Sequence, residues 1–452
     1  FDILDMQSKT NYALSLFLIL PIVFIGYWID RHESVWLLSC FAISFAGYIT
    51  LLRSKKCTLK ELLVIGILVR LFLLGATPKL SDDYYRFAFD GHLTISGENP
   101  YTVLPIEIEE RSDFETSLVN KMNSPQYYSV YPPINQIFFS LPSFFSGEDL
   151  IIYTLVLRLL IVLFEILMAL LLLKLLQFFD KDLQLFALYF LNPLVIVELT
   201  GNLHFEGVTM FFFLLSIFFL VTGRNVRSGI VYAIAVGTKL IPLLFLPFFI
   251  KRLKRQSIGY FVTVVLMTLI LFIPFVDEKL LGNIVSSVDL YFHKFMFNGS
   301  LFYVMNIFLH QFTGFEYNLH LLGDFTPFIV LFAVLLMAVL EKNKGWLALF
   351  KSVLFSLLIY YSIASIVHPW YVINLMVVAL FTNYRFPYVW SALVLLSYVA
   401  YKGDGLVMES TALLIVEYVI LSVVIGFELI REHRRKVDGP HMVGISTKTL
   451  HQ

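Results

Sequence analysis

Long apolar runs dominate this chain, and their length is what most constrains its fold. An α-helix needs roughly 20 apolar residues to cross a hydrocarbon core of about 30 Å. Only 15% of the 452 residues are charged, whereas a soluble domain carries about 25%. The two-residue alternation of a membrane β-barrel strand does not occur in the sequence. The sequence therefore predicts an all-α fold, a polytopic transmembrane helical bundle.

About 12 apolar segments are predicted to span the membrane. They cover residues 12–29, 35–52, 62–75, 151–178, 183–199, 205–221, 258–275, 325–340, 346–366, 371–381, 388–401 and 406–430. A further apolar segment, 228–250, has basic residues at both ends and contains Gly237, Pro242 and Pro247. We expect a re-entrant or broken helix there, with Lys239 at its middle, because irregular backbone at membrane depth must line a cavity.

Lysine and arginine in short loops indicate the orientation, because such loops stay on the cytoplasmic side. The basic residues fall in the loops at 53–60, 224–227, 251–255, 342–344 and 385, and in the segment 431–436. With all of these inside, both termini are cytoplasmic. Four polar elements then face outside, namely residues 77–150, 201–206, 276–323 and 368–371. They converge on one membrane face, as a site between helices requires.

Residues 1–436 are predicted to form a single transmembrane domain. Within this domain, 77–150 is expected to be an external loop that carries catalytic residues and a helix at the membrane interface. The segment 276–323 is expected to be a second external loop. Residues 437–452 are set apart as a tail, because the GPHM sequence at 439–442 is typical of a cloning remnant.

Four charged residues stand within nine positions in an otherwise apolar chain, namely Asp82, Asp83, Arg86 and Asp90. We predict a helix to about residue 96, with Ser81 as its N-cap. One interpretation is structural, because acidic residues in the first turn stabilise a helix by about 0.3–1 kcal/mol. The other is chemical, because a helix N-terminus keeps a carboxylate ionised. Such a carboxylate can accept a proton from a hydroxyl nucleophile at the lipid–water boundary.

Seven motifs occur in a fixed order along the chain. They are SDDYYRFAFDG (81–91), GENPY (97–101), YPPINQIFF (131–139), LNPLVIVELTGNLHFEG (191–207), KLIPLLFLP (239–247), KFMFNGSLFY (294–303) and HPWY (368–371). Taken together, they resemble the motifs of bacterial polytopic mannosyltransferases of the GT-C superfamily. The resemblance covers most of the chain.

The resemblance implies a GT-C fold and an inverting glycosyltransferase. Its donor would be a polyprenyl-phosphate sugar, carrying mannose, and its acceptor a lipid-linked or membrane-presented glycan. The partners would be these two substrates and the lipid bilayer. The reaction would take place on the periplasmic face of the bacterial inner membrane, without a cofactor or divalent metal. A formal net charge of zero gives no reason to expect nucleic acid as a partner.

The resemblance also implies roles for individual residues. The base that deprotonates the acceptor hydroxyl is Asp82 or Asp83, and Asp82 is preferred because the first acidic residue acts as the base in similar motifs. The donor and its phosphate are expected to contact Lys239, Arg86, His368, Lys294 and Tyr371. The substrates are expected to contact His204, Glu206, Asn202, Asp90, Tyr131 and Asn298.

Several of these residues also have a simpler interpretation. His204 and Glu206 could bind a metal together with Glu198, although the resemblance does not favour one. His368 could belong to an aromatic belt at the membrane interface. Tyr131 could shape the external loop without contacting a substrate.

A transporter or flippase for polyprenyl-linked sugars is the alternative function. Arg158 and Glu165 lie seven residues apart on one predicted span, and charges inside a membrane usually mark a functional path. No inverted repeat is evident in the sequence. The acidic residues also gather on one membrane face, which favours the enzyme.

Overall fold

The computed structural model describes residues 2–54, 57–108, 112–288, 296–313, 319–403 and 406–438. These residues are mostly helical and contain no β-strand beyond two isolated bridges. The first seven helices are α1 (Asp2–Trp28), α2 (Ser34–Arg53), α3 (Leu59–Phe72), α4 (Asp83–Ile95), α5 (Asp113–Lys121), α6 (Pro133–Ser146) and α7 (Leu150–Phe178). The predicted all-helical class is therefore confirmed.

The second half of the chain continues in the same way. Its helices are α8 (Leu183–Phe190), α9 (Pro193–Gly201), α10 (Glu206–Val221), α11 (Asn225–Thr238), α12 (Pro247–Leu253), α13 (Ser257–Phe272), α14 (Leu280–Val288), α15 (Leu301–Thr313), α16 (Leu319–Leu340), α17 (Trp346–Ile363), α18 (Val372–Ala379), α19 (Phe386–Leu393) and α20 (Thr411–Asp438). A 3₁₀ turn, Val394–Ala400, extends α19.

Seven described helices are long and apolar enough to cross a membrane. They are Asn11–Trp28, Ser34–Arg53, Leu150–Phe178, Pro247–Phe275, Leu322–Leu340, Trp346–Ile363 and Thr411–Arg435. Counting α8 and α9 as one bent span, with 52° between them, makes eight. A multi-pass architecture is thus confirmed, but the twelve predicted spans are not.

Short helices account for part of the difference. The predicted spans 62–75 and 371–381 correspond to α3 with 14 residues and α18 with 8. At 1.5 Å per residue, neither is long enough to cross the hydrocarbon core as a single helix. Every residue of α18 is buried by protein. Hydropathy cannot tell such a helix from a lipid-facing one, since both are equally apolar.

Helix breaks occur where polar and proline residues interrupt apolar runs. α8 and α9 meet at Asn192, whose side chain accepts a hydrogen bond from the Leu194 amide at 3.0 Å. α11 ends at Thr238, and Lys239 has an extended backbone with φ −154°. The predicted break in 228–250 is therefore present at Lys239, while a re-entrant path is not confirmed.

The charged helix predicted after Ser81 is α4, with Asp82 as its N-cap residue instead of Ser81. Gly97, just beyond its end, has φ 80° and permits the turn there. A Cβ on Gly91 would lie 2.2 Å from the Phe139 carbonyl oxygen, so α4 packs directly on the backbone of α6. α4 is buried on most sides by protein, although a helix at the membrane interface was expected here.

Arg158 and Glu165 on α7 both have protein partners. The Arg158 guanidinium donates to the carbonyls of Leu74 and Thr200, both at 2.8 Å, and of Gly201 at 3.2 Å. Arg158 thereby satisfies backbone carbonyls at the end of α9. Its bonds hold the chain break that leads to α10, which is a structural role.

Glu165 forms a second buried network on α7. Its carboxylate lies 3.0 Å from the Arg70 guanidinium on α3 and accepts a hydrogen bond from the Tyr189 hydroxyl at 2.8 Å. Arg70 and Glu165 are 0% and 1% exposed. This pair joins α3, α7 and α8, so neither Arg158 nor Glu165 is an unpartnered charge that would favour the transporter hypothesis.

Candidate functional site

The acidic pair lies at the start of α4, and its two members have different surroundings. The Asp82 carboxylate is 2.6 Å from the Arg31 guanidinium, and 31% of its side chain is exposed. Asp83 accepts a hydrogen bond from the Asn123 amide at 2.8 Å. Burial raises the pKa of the Asp83 carboxyl, while Asn123 and Lys239 oppose the rise. Asp83 is thus closer to the protein interior than Asp82.

Lys239 and Glu206 form an ion pair at the breaks that follow α9 and α11. The Lys239 ammonium contacts a Glu206 carboxylate oxygen, and Glu206 is 1% exposed. The same ammonium lies 4.8 Å from the centre of the Tyr371 ring, which is within the range of a cation–π contact. Three residues predicted for the site, from three distant segments, therefore meet.

Two histidines of the site, His204 and His368, both stack on Trp370. The centres of the His204 and Trp370 rings are 3.7 Å apart, and those of His368 and Trp370 are 4.3 Å apart. Burial, with Lys239 nearby, lowers the pKa of His368 to about 3 and that of His204 well below its usual value. Both rings are therefore neutral near pH 7, and neither brings a positive charge to the site.

The two imidazoles keep hydrogen-bonding capacity for a ligand. His204 Nε2 and His368 Nδ1 are buried and make no hydrogen bond within the described part of the chain. His204 Nε2 lies 3.5 Å from a Glu198 oxygen, too far for a well-formed bond. Buried polar atoms are normally paired, so these nitrogens are candidates for contacts with a sugar or phosphate.

Asn202 and Glu198 form a hydrogen-bonded network next to the site. Asn202 accepts a hydrogen bond from the Leu80 amide at 3.2 Å and donates to Glu198 at 3.4 Å. Glu198 also accepts from the Tyr398 hydroxyl at 2.5 Å. Asn202 is thus engaged in joining the acidic motif to α9. Among the described residues, no three His, Cys, Asp or Glu side chains are grouped to hold a metal.

Arg86 and Asp90 pair with each other on α4, against the connection between α5 and α6. Arg86 Nε lies 2.7 Å from Asp90, and its Nη1 donates to the Tyr127 carbonyl at 2.7 Å. Asp90 also accepts from the Ser129 hydroxyl at 2.5 Å. The two side chains are 3% and 0% exposed. This geometry favours loop support over the predicted contacts with phosphate and substrate.

Tyr131 and Asn298 occupy structural positions around the site. The Tyr131 carbonyl accepts a hydrogen bond from the Tyr101 hydroxyl at 2.7 Å. Asn298 has φ 52°, and its backbone and side-chain amides donate to Glu409 and Glu417 at 2.5 and 3.2 Å. Lys294, predicted to bind phosphate, and the tail at 439–452 lie outside the described residues.

Phe297, in the segment predicted to form a second external loop, contacts the histidine stack. Its ring centre lies 5.2 Å from that of His368. Its backbone exchanges hydrogen bonds with Ser365 at 2.9 Å and Val367 at 2.8 Å. Residues near 298 and near 368, predicted to lie together, are thus neighbours in the structure.

Residues 18–255, more than half of the chain, match the family described as alpha-(1->6)-mannopyranosyltransferase, N-terminal domain. The chain belongs to this mannosyltransferase family. The match confirms the resemblance to polytopic mannosyltransferases, and with the apolar helices it supports a membrane mannosyltransferase. No curated protein matches the sequence.

The matched range includes much of the site of this mannosyltransferase. Asp82, Asp83, His204, Glu206 and Lys239 all lie within residues 18–255. The histidine and aromatic residues near 368–371 lie beyond that range. The site therefore combines side chains from the family domain with others from the second half of the chain.

Sequence reasoning missed Arg31, the partner of Asp82, and Asn123, the partner of Asp83. Arg31 lies between α1 and α2, in a turn predicted to face outside. An arginine on that side departs from the usual cytoplasmic bias of basic residues, and this was the signal that could have found it. Asn123 has no comparable signal, because asparagine is common in polar loops.

Proposed function

We propose that this chain transfers mannose from a polyprenyl-phosphate donor to a hydroxyl of a lipid-linked or membrane-presented acceptor. The reaction proceeds with inversion, in a GT-C fold, on the periplasmic face of the bacterial cytoplasmic membrane, with both termini inside. The family match supports the sugar and the type of reaction. The observation that carries the proposal is the meeting of Asp82, Asp83, Glu206, Lys239 and His368 around one region.

The acidic pair supplies the base, and Asp82 is the preferred member. Its carboxylate is partly exposed, so an acceptor hydroxyl can reach it. A positioned carboxylate that takes the hydroxyl proton as the bond to the anomeric carbon forms accelerates transfer about 10²–10⁴-fold. Asp83, held by Asn123, remains the alternative base.

The leaving phosphate needs positive charge and hydrogen-bond donors rather than an acid, because its oxygens carry the charge that develops. Lys239 offers an ammonium, and 34% of its side chain is exposed despite the contact with Glu206. The neutral rings of His204 and His368 offer N–H groups. No cofactor is required for this chemistry.

The stereochemistry defines the donor. The family description refers to alpha-(1->6) products. Inversion at the anomeric carbon then requires a donor whose mannose is β-linked to phosphate, since the hydroxyl attacks opposite the leaving group.

The test is an assay of the purified protein with radiolabelled polyprenyl-phosphate β-mannose and an acceptor extract. We expect labelled acceptor and free polyprenyl phosphate in equal amounts, and no product from the α-linked donor. Movement of intact donor across proteoliposomes without cleavage would support the flippase alternative instead. Labelling from a nucleotide sugar alone would contradict the proposed donor.

A further inference from the structure

Arg31 lies at the edge of the site and has no role in the proposed transfer reaction itself. It belongs to the short connection between α1 and α2. Its guanidinium is 2.6 Å from the Asp82 carboxylate and 4.9 Å from the centre of the Tyr401 ring. One third of the Arg31 side chain is exposed. The guanidinium therefore touches the preferred base and still faces the surroundings.

Two tryptophans indicate the depth of Arg31 in the membrane. Trp28 ends α1 and Trp36 lies in the first turn of α2, and their side chains are 61% and 62% exposed. Exposed tryptophans are enriched at the level of the lipid headgroups. The connection between them thus lies at headgroup depth, where the phosphate of a prenyl lipid also lies.

The ion pair of Arg31 differs from the other ion pairs of the site in how easily it can be exchanged. Asp82 is 31% exposed, so water can solvate it when the arginine leaves. Glu206 is 1% exposed, and removing Lys239 from it would leave a buried charge unpaired, which is strongly unfavourable. Arg31 can therefore change its partner at low cost, whereas Lys239 cannot leave Glu206.

We propose that Arg31 binds the phosphate of the polyprenyl donor and that this phosphate displaces the Asp82 carboxylate from the guanidinium. The inference rests on the proposed function. Arginine binds phosphate through two parallel hydrogen bonds, which gives the donor an advantage over the single contact with Asp82. Donor binding then frees Asp82, so the base becomes available when the electrophile is in place.

The first test measures binding with farnesyl phosphate and its neutral counterpart farnesol as competitors of the donor. In Arg31→Gln, we expect inhibition by farnesyl phosphate to weaken about tenfold, the value of one charged hydrogen bond. Inhibition by farnesol is expected to stay unchanged. Arg31→Lys keeps the charge but lacks the planar guanidinium. We expect farnesyl phosphate to inhibit this variant more weakly than the wild type and more strongly than Arg31→Gln.

Lys79→Gln is the matched control. Lys79 is a second cation at the same end of the bundle, 3.2 Å from Asp30. The Lys79→Gln substitution removes one positive charge near the membrane surface and leaves the ion pair of Arg31 with Asp82 in place. We expect its inhibition by farnesyl phosphate to stay within about twofold of the wild type, since exposed ion pairs contribute little.

The second test uses the competition between carboxylate and phosphate. Asp82→Asn removes the competing charge, so we expect farnesyl phosphate to bind up to about fivefold more tightly. This gain is expected to vanish in the Arg31→Gln background. If Arg31 has only a structural role, Asp82→Asn will bind farnesyl phosphate no more tightly than the wild type. Unchanged or weaker binding in Asp82→Asn would therefore overturn the proposal.

A third comparison distinguishes the donor phosphate from bulk anionic headgroups, which could occupy the same guanidinium. Binding is measured in bilayer discs with and without phosphatidylglycerol. Equal competition by phosphatidylglycerol would assign Arg31 to bulk lipid and overturn the donor assignment. If the wild type releases no polyprenyl phosphate, the proposed function fails. If it does, but Arg31→Gln binds farnesyl phosphate normally, this inference alone fails.

Discussion

The charges inside the bundle and the charges at the acidic pair are held in different ways. Arg70 and Glu165 are almost completely buried and pair with each other. Arg31 and Asp82 also pair, at 2.6 Å, but about a third of each side chain is exposed. Breaking the first pair leaves a charge without solvent, whereas breaking the second returns both partners to water.

This difference distinguishes residues that stabilise the fold from residues that can contact substrates. A buried pair is costly to break, and an exposed pair contributes about 0–1 kcal/mol. Substitutions in the two pairs are therefore expected to affect different properties. Loss of Asp82 would reduce activity with little effect on stability. Loss of Glu165 would instead lower the stability of the fold.

The largest expected effect is that of Asp82→Asn on turnover. We expect kcat to fall about a thousandfold, the typical contribution of a general base, with the thermal unfolding temperature unchanged. The measurement is mannose transfer by the purified variant next to its melting curve. Asp83→Asn is the control. Near-normal turnover of Asp82→Asn together with an inactive Asp83→Asn would reverse the assignment within the pair.

Glu165→Gln tests the buried side of the comparison. It leaves the Arg70 guanidinium without its carboxylate, and we expect the free energy of unfolding to fall by about 3–5 kcal/mol. A melting curve in detergent reports the change as a lower unfolding temperature. A Glu165→Gln variant as stable as the wild type would show that the pair is not holding α3, α7 and α8 together.

Gly207→Ala tests the buried pair in a second way, because it adds a methyl group next to Glu165 without removing its charge. A Cβ at this position would lie 2.3 Å from Glu165 Oε1 and 2.7 Å from Leu199 Cδ1. We expect destabilisation of about 1–3 kcal/mol from overpacking. Gly259→Ala, whose Cβ would meet nothing within 4 Å, is the control and is expected to melt no earlier than the wild type.

The last expected effect concerns pH. The pKa of His368 is about 3 in the folded protein, below its unfolded value of about 6.5. The unfolded chain therefore binds more protons between these values, so folding stability falls as pH drops from about 6.5 towards 3. We expect His368→Gln to lose less stability than the wild type between about pH 6.5 and pH 4, measured as unfolding temperature against pH.

Much of the site was accessible from the sequence because its motifs are polar interruptions in apolar runs. The break at Lys239 was predicted from Gly237, Pro242 and Pro247, and the structure ends α11 next to Lys239. The expectation that residues 201–206 and 368–371 converge is met by the stack of His204 on Trp370. Such interruptions are costly in lipid, so they mark places where the chain must face protein or a cavity.

The number of spans and the identity of side-chain partners were not accessible in this way. α18 is apolar because protein buries it, and apolarity alone cannot distinguish that from lipid contact. Arg31 reaches Asp82 from a segment more than 50 positions away along the chain. A single sequence records which side chains are charged, but which of them meet depends on helix packing that periodicity does not specify.

Arg158 acts as an internal substitute for solvent. A helix end in water is completed by water molecules, and the hydrocarbon interior offers none. Here one guanidinium serves three carbonyl oxygens at once, those of Leu74, Thr200 and Gly201. Because these carbonyls are satisfied within the chain, we expect the turn that carries His204 and Glu206 to keep its shape when one bilayer or detergent is exchanged for another.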